Sequence, residues 1–240
     1  YEIPLRLVGS EMCIRDRSLP INSGVFCLKK DRFQDVVWIG TDGQGVYLYS
    51  NPLYSIKSMV LSNYTEKIER PVRAIYLDDE RTFWVGTKGN GILKIYDYEF
   101  DKNISDCRAE VLTTSNSALS SNAVYCFAKS HRNLLWIGDE EGLTYYSYRE
   151  KRIKSIPIRI GNEDFKYIHD IYETADSELW LASVGMGVVK ARIAGTSDNP
   201  VIVDAQRYII NDGELGSNYF FTIYAENEAN LLFGNKGYGV

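Results

Sequence analysis

The stretches "VVWIGTDGQG" at 36–45 and "TFWVGTKGNG" at 82–91 are nearly the same ten residues written twice. In both, a tryptophan stands between apolar residues, a glycine follows two positions later, and Gly-x-Gly ends the stretch. Two such stretches can arise by chance, whereas a true repeat also keeps the surrounding residues at fixed offsets. Trp38 and Trp84 are therefore natural origins for counting outward along the chain.

The offsets recur along the chain. Around Trp84, apolar residues lie twelve and nine positions earlier, at Val72 and Ile75, and Gly86 lies two positions later. Three further origins return apolar residues and a glycine or alanine at the same offsets, and the first copy needs one extra residue in its turn. Successive origins are 46, 52, 44 and 52 residues apart, a period typical of four-stranded propeller blades. The five origins are Trp38, Trp84, Trp136, Trp180 and Leu232.

The pattern inside each unit favours strands. "VRAIYL" predicts an inner strand, a polar turn leads to "FWVG" as the second strand, and "TKGNG" supplies the positive-φ positions of a tight return. "ILKIYDY" then alternates as a third strand, and "RIKSIPIRI" at 152–160 is an example of a weaker fourth. Such a unit buries both faces only against neighbours, with its tryptophan as a wedge. The sequence therefore predicts an all-β propeller of antiparallel four-stranded blades, with five units present.

Composition and charge argue against several classes of function. Of 240 residues, 45% are hydrophobic and 25% charged, and the formal charge of −5 gives no broad positive field for nucleic acid. The basic cluster at 148–154 fits a solvated outer strand. No apolar run is long enough to span a membrane. Cys27 and Cys126 fall in units that are not sequence neighbours, so we expect no disulfide between them.

The chain divides into two parts. Residues 1–18 contain "LVGSEMCIRDRS", which matches nothing else in the chain and resembles a translated linker, so we predict a non-native leader. Residues 19–240 hold the five units and form the predicted partial propeller. Arguments about fold and targeting therefore rest on the second part alone.

The third unit resembles a known family. "LSSNAVYCFAKSHRNLLWIGDEEGLTYY" at 119–146 is similar almost throughout to the two-component regulator propeller repeat. Other units match in part, through "VVWIGTDGQGVYLY", "TFWVGTKGNGILKIY" and "LGSNYFFTIYAENEANLLFGNKGYGV". The resemblance covers about residues 19–240.

The resemblance carries functional expectations. This repeat typically builds the periplasmic sensor region of hybrid two-component systems of Bacteroidetes, in which seven-bladed propellers precede a Tyr-rich domain, a membrane helix and a histidine kinase. It implies a non-catalytic region that senses an oligosaccharide, a homodimeric parent protein with kinase activity, and control of polysaccharide-utilisation genes. Seven blades at this period need about 340 residues, so five units predict a fragment of such a ring. Membrane attachment would come only from other parts of the parent.

Catalytic motifs are missing from the sequence. It contains two histidines and shows no Asp-x-His metal spacing, no Gly-x-Ser-x-Gly and no Cys-x-x-Cys, so we expect no catalytic residue, metal or cofactor. His169 and Asp170 predict a hydrogen-bonded pair lining the channel rather than a catalytic dyad. "LDDE" at 77–80 lies in a turn, where the acids are expected to accept backbone N–H groups.

Ligand binding is the function that the topology favours. The segments leading into the inner strands and the returns between second and third strands emerge on one face of a propeller, around the channel mouth. Tyrosine rings there could stack on sugars, while Asn and Arg donate hydrogen bonds; Asn122 and Asn218 match the repeat's own asparagine, which leaves a purely turn-holding role open. The candidate contacts are Arg73, Asn122, Tyr125, His169, Asn218 and Tyr219 from the lead-in segments, and Asp42, Lys88 and Lys236 from the returns.

Two alternatives stay open at this point. A propeller enzyme acting on carbohydrate, a glycosidase or lyase, would need carboxylates roughly 5 to 10 Å apart at the channel mouth. A protein-interaction scaffold would need a partner surface instead of a small-molecule cleft. An open arc of blades would leave strand edges and blade faces unprotected in either case.

Overall fold

The computed structural model describes the chain in seven segments, and its regular elements are β-strands. The predicted leader at 1–18 lies outside the described residues. The segments are 21–34, 36–50, 55–59, 68–98, 107–210, 216–227 and 230–237.

Three units each form an antiparallel four-stranded sheet in the first two-thirds of the chain. The first contains β1 (Val25–Lys30), β2 (Val36–Thr41), β3 (Val46–Ser50) and β4 (Ser55–Met59). The second contains β5 (Val72–Leu77), β6 (Phe83–Thr87), β7 (Ile92–Ile95) and β8 (Ala109–Leu112). The third contains β9 (Val124–Lys129), β10 (Leu134–Asp139), β11 (Leu143–Ser147) and β12 (Arg152–Ile156).

A hairpin and two further sheets complete the described chain. The hairpin pairs β13 (Arg159–Ile160) with β14 (Glu163–Asp164). The fourth unit contains β15 (Ile168–Glu173), β16 (Glu178–Ser183), β17 (Gly187–Thr196) and β18 (Asn199–Tyr208). The described part of the fifth contains β19 (Phe220–Asn227) and β20 (Asn230–Asn235).

The strands of each unit follow one another in the sheet as they do in the chain, which confirms the predicted blade pattern. The inner strand of each interior unit lies against the inner strands of both neighbours: β5 between β1 and β9, and β15 between β9 and β19. This radial arrangement is that of a propeller. One sequence prediction was wrong in detail, because the expected fourth strand at 152–160 ends at Ile156; Pro157 has no N–H to continue the ladder.

The hydrophobic core lies between units, where the tryptophans were predicted to act as wedges. Trp38, Trp84 and Trp136 are completely buried. Trp38 packs with Val72 and Phe83 of the second unit, and each of the other two packs against the unit that follows it. Burying one such side chain contributes about 2 to 3 kcal/mol. The wedge prediction is confirmed for these three units.

Each buried indole N–H finds a carboxylate. Trp38 Nε1 donates to Asp31 Oδ2 at 2.9 Å, and Trp84 Nε1 donates to Asp78 Oδ2 at the same distance. The second oxygen of Asp78 accepts the N–H groups of Glu80 and Thr82, which confirms the predicted turn-forming role of the acid. The carboxylate of Asp78 thus accepts the indole N–H of Trp84 and also shapes the turn. Neither the Trp38 nor the Trp84 indole N–H is left without an acceptor when it is buried.

The third unit takes its acceptor from the next unit. Ser130 occupies the place of the turn acid, and Trp136 Nε1 donates instead to Glu173 Oε2, 2.7 Å away on β15. Ser130 Oγ donates to the same oxygen at 2.5 Å, and Arg132 Nε lies 3.7 Å from Glu173 Oε1. Glu173 is buried. The indole bond here joins two blades directly.

The two outermost units expose residues that interior units bury. Val25, the first residue of β1, is 47% exposed, whereas Val72 and Val124 at the equivalent positions are fully buried. At the other end, Tyr224 of β19 is 64% exposed, whereas its counterpart Tyr76 is buried. The interior pattern shows that a neighbouring blade normally covers these positions. The first and last described units therefore present the kind of uncovered blade face that the sequence predicts for an open arc.

The glycine two positions after the tryptophan gives the next inner strand room to approach. A Cβ on Gly138 would lie 2.5 Å from Cys126 Sγ and 2.7 Å from the carbonyl oxygen of Ile168 on β15. Real Cβ atoms do not approach other atoms so closely, so either the sheet or the neighbouring blade would have to shift. The repeated glycine is thus required by packing between blades.

We expect Gly138→Ala to destabilise the protein by roughly 1 to 3 kcal/mol, because the new methyl group overpacks this contact. The unfolding midpoint in denaturant measures the change. The matched control is Gly24→Ala, since a Cβ on exposed Gly24 has no heavy atom within 4 Å. Equal stability of Gly138→Ala and the unchanged protein would contradict the packing argument.

Candidate ligand-binding site at the inner-strand bulges

Every inner strand contains a β-bulge near its start. In the second unit Val72 pairs with Thr87 and Ala74 pairs with Gly86, so Arg73 has no partner on β6. The other four units skip one residue at the equivalent place. A bulge leaves its extra residue outside the ladder and re-aims the side chain. The five bulged residues are Phe26, Arg73, Tyr125, His169 and Phe221, and we call them the bulge row.

Members of the bulge row contact one another from blade to blade. The Arg73 guanidinium lies over the Phe26 ring, 3.7 Å from its centroid. The rings of Tyr125 and His169 stack at 4.3 Å, and Phe221 meets His169 edge-on at 5.4 Å. Aromatic pairs and cation–π contacts at these separations are favourable. The row therefore consists of two packed groups, Phe26 with Arg73 and Tyr125 with His169 and Phe221.

Charge in the row is set by burial and by two cations. Burial, and then the positive charges of Arg73 and Lys88, lower the pKa of His169 to about 4. Burial, followed by Glu140, raises the pKa of Tyr125. At neutral pH both rings are therefore uncharged, and Arg73 is the charged member of the row.

Arg73 also carries an unused hydrogen-bond donor. Among the described residues, its Nε is buried and has no hydrogen-bond partner. A buried donor without a protein acceptor is unusual.

Three of the sequence-predicted contacts come together here, since Arg73, Tyr125 and His169 belong to the bulge row. The expected hydrogen-bonded pair of His169 and Asp170 was wrong. Asp170 Oδ2 instead accepts Ile223 N at 2.7 Å and Thr222 Oγ1 at 3.1 Å from the next unit. The bulge turns the His169 ring into the row, whereas Asp170 rejoins the ladder opposite Ala182 and its carboxylate reaches the fifth unit.

Asn122 holds a turn. Its side-chain oxygen accepts Thr114 N at 2.9 Å, and its main-chain carbonyl accepts the N–H groups of Gly89 and Gly91 from the return of the preceding unit. Asn218 does the same between the fourth and fifth units, where its side-chain oxygen accepts Ile210 N at 2.7 Å. The structure thus gives both asparagines the structural role, and contact with a ligand stays a prediction for them.

The remaining predicted residues surround the row. Tyr219 is 48% exposed beside Phe221, while Asp42, Lys88 and Lys236 are exposed on the returns. The backbone N–H of Lys236 donates to the Tyr219 carbonyl, which ties a return to its own inner strand. These four positions lie at the bulge end of their inner strands.

A cavity that sequence reasoning missed lies at the opposite end of the inner strands. It has a volume of about 630 Å³ and is lined by the first four units. Asp79 bridges Arg32 and Lys129 across its wall, at 2.5 Å from each, and Arg32 Nη2 also donates to the Tyr76 hydroxyl at 3.3 Å. Lys29 lies over the same ring. Cations and acids are thus both present in the cavity, since Asp170 and Glu173 also line it.

A signal for this cavity was present in the repeat. Lys29, Tyr76 and Tyr172 each pair in register with the tryptophan of their unit. They follow directly after the apolar residue nine or ten positions before the origin. Comparing that column between copies shows a polar or aromatic side chain in these three units and Ala128 in the third unit.

The described segments lack both a metal-binding cluster and a membrane-spanning helix. No group of three or more His, Cys, Asp or Glu side chains within the described segments could hold a metal ion. No helix in the same segments has the length and apolar character of a membrane span.

Comparison of the sequence with known proteins gives a partial match. No family model matches the chain. Translation initiation factor 6 of Saccharolobus solfataricus is 31% identical over 140 residues, which are 53% of this chain and 57% of that protein. A match over little more than half of each chain assigns no family.

Solved structures match over most of this chain. The extracellular domain of the putative hybrid two-component system BT3049 from B. thetaiotaomicron covers 90% of it with a TM-score of 0.65 and 22% identity. That of BT4673 covers 89% with a TM-score of 0.58 and 15% identity. PorZ, a surface component of the type-IX secretion system of Porphyromonas gingivalis, covers 88% with a TM-score of 0.64 and 14% identity. The predicted propeller fold, and its resemblance to these extracellular domains, are confirmed.

The chain is short beside these proteins. It spans 27% of the BT3049 chain, 34% of the BT4673 chain and 31% of PorZ. At these identities the likeness establishes the fold, and the activity of the larger proteins does not transfer with it.

We expect His169 to stay neutral in the folded protein until the pH falls to about 4. The unfolded chain takes up this proton near pH 6.5, so the folded state should lose up to about 3 kcal/mol as the pH falls from 6.5 to 4. NMR titration of the imidazole measures the pKa directly. Arg73→Gln should raise it by removing a neighbouring positive charge, and a midpoint near 6.5 in the unchanged protein would contradict this picture.

Proposed function

We propose that this chain is a non-catalytic, ligand-sensing propeller of a hybrid two-component signalling protein, located in the periplasm. The ligand is an oligosaccharide that binds at the bulge row, and the output is transcription of polysaccharide-utilisation genes. The fold shared with the extracellular domains of BT3049 and BT4673 supports the sensor role. The observation that carries the proposal is the bulge row itself.

The chemistry of the row suits a saccharide. Tyr125 and His169 are half-buried in their mutual stack and Phe221 is 45% exposed, and the C–H faces of pyranose rings pack on the exposed parts of such aromatic groups. Arg73 adds a guanidinium group, and sugar hydroxyls accept hydrogen bonds from such donors. Apolar stacking and directed hydrogen bonds together are what recognition of a neutral, hydroxyl-rich molecule requires.

Placement of the row also suits signalling. Its five members come one from each unit, so a ligand spanning several of them contacts several blades at once. A ligand can bias a signalling protein only through different affinity for two arrangements. Contact across blade boundaries is a place where such a difference can arise, since small relative movements of blades alter the spacing between rings.

The test is binding of a neutral oligosaccharide library by the protein and its variants. For a saccharide that binds, Tyr125→Ala and Arg73→Ala should each weaken binding about tenfold or more, since each removes one stacking face or one donor. Isothermal titration calorimetry measures the change.

Exposed residues away from the row supply matched controls. Phe33 lies in the turn between β1 and β2 and Arg192 lies on β17, and their alanine variants should bind as the unchanged protein does. Absence of any saccharide binding, or equal affinity of Tyr125→Ala and the unchanged protein, would contradict the proposal. Turnover of a bound saccharide would identify a propeller enzyme instead.

A further inference from the structure

A second cleft lies on the outer side of the molecule, between the second and third units. Its volume is about 570 Å³. One wall is β8 with the turn at 116–118, and the other is β12 with the preceding residue Lys151. The basic cluster expected to be merely solvated therefore contributes Lys151, Arg152 and Lys154 to a cleft, together with Lys94 from β7.

Lys94 is the unusual member of this cleft. It is only 5% exposed, and its ammonium group lies over three rings, 4.7 Å from the centroid of Trp84, 4.5 Å from that of Tyr96 and 4.3 Å from that of Tyr146. Its Nζ donates to the Tyr146 hydroxyl at 2.8 Å. Within the described residues it forms no ion pair. A cation so removed from water is normally paired with an acid.

The fourth unit shows what the usual arrangement looks like. Lys190 pairs with Trp180 as Lys94 pairs with Trp84, and its ammonium also lies over the indole, at 5.4 Å. Lys190 Nζ, however, contacts Glu178 Oε1 at 2.8 Å. The residue at the position of Glu178 in the second unit is Thr82. Lys94 thus has the cation–π contact of its counterpart without the acid.

The nearby acids form no ion pair with Lys94 within the described residues. Glu110 is the cross-strand partner of Lys94, but its carboxylate accepts the Tyr96 hydroxyl at 2.6 Å. Glu150 is shared by Arg152 and Lys154, each at 2.6 Å. Arg152 and Lys154 are thus paired with Glu150, which leaves Lys94 and Lys151 as the cations of the lining without an ion pair among the described residues. Glu110, Asp78 and Glu80 act on Lys94 without pairing with it directly.

Burial leaves the Lys94 ammonium poorly stabilised. Its pKa is lowered to about 8, chiefly by desolvation and further by the positive charge of Lys151, against the opposing effects of Glu110, Asp78 and Glu80. The Tyr96 and Tyr146 phenols that face it are neutral at pH 7, since burial raises the pKa of both. A negative group placed in the cleft would restore the missing counter-charge.

We propose that this outer cleft binds the carboxylate or sulfate group of an acidic saccharide, with Lys94 as the principal anion contact. Lys151 stands at the rim and adds a second positive charge. Asn116 and Ser117 line the same cleft, and their hydrogen bonds to Val111 and Thr113 hold the turn that forms its wall. The site is separate from the bulge row and prefers a different ligand, because it recognises an anionic group whereas the bulge row contacts a neutral sugar.

Calorimetry with three related probes tests the inference. Glucuronate and glucose 6-sulfate carry an anion, and glucose is the neutral match. We expect at least one anionic probe to bind and glucose not to bind, and the comparison of the two anions shows which group the cleft prefers. Binding of glucose as tight as that of both anions, or no binding of either anion at 10 mM or so, would overturn the proposal.

Variants locate the binding. Lys94→Met keeps the length of the side chain and should reduce affinity for the anion at least tenfold, whereas Lys190→Met, its structural counterpart, should change it less than twofold. Removing a buried charge without an acid partner is not expected to unfold the protein, and thermal unfolding checks this. Unchanged affinity in Lys94→Met would overturn the assignment.

The pH dependence gives a second readout from the same protein. The neutral amine cannot attract an anion, so affinity should fall as the pH rises through about 8 and should drop about tenfold for each further pH unit. Constant affinity between pH 7 and 10 would overturn the role of Lys94. Tyr125→Ala should bind the anion normally, which separates failure of this site from failure of the bulge row.

Discussion

The fold depends on burying a tryptophan between blades without leaving its N–H group unbonded. An indole wedge excludes water from the interface and gains the free energy of apolar burial, but the buried donor would cost much of that gain if it lacked an acceptor. Trp38 and Trp84 bond to turn carboxylates of their own units, and Trp136 bonds to Glu173 of the next unit. The buried indole N–H is thus given an acceptor in two different ways, and the tryptophan keeps the same place between blades.

Wedged blades fix the inner strands closely side by side, and this places the functional surface. Gly138 allows β15 to approach the third unit, and the neighbouring bulge then turns Tyr125 and His169 into contact. Because the bulge lies at the same place in every unit, five unrelated side chains form one row. The framework residues repeat while the row residues vary, which is how one architecture can present different binding chemistry.

Counting from the tryptophans predicted the units, the strands and the turn role of Asp78 because these follow from local spacing. The bulges could not be found in this way. Offsets compare copies with one another, so an extra residue present in every copy produces no shift. Glu173 escaped prediction for another reason, since it lies 37 residues from the indole that it accepts. Lys94 fits the alternation of an ordinary third strand in the sequence. Only the structure shows that it lacks the acid that Glu178 provides beside Lys190.

The interaction between Trp84 and Asp78 can be measured by a double-mutant cycle of Trp84→Phe and Asp78→Ala in denaturant unfolding. The account predicts a coupling free energy of about 1 to 2 kcal/mol, because either change alone removes the same indole–carboxylate bond. Additive effects, agreeing within about 0.3 kcal/mol, would show that the indole N–H does not depend on the carboxylate and would contradict the role given to this bond.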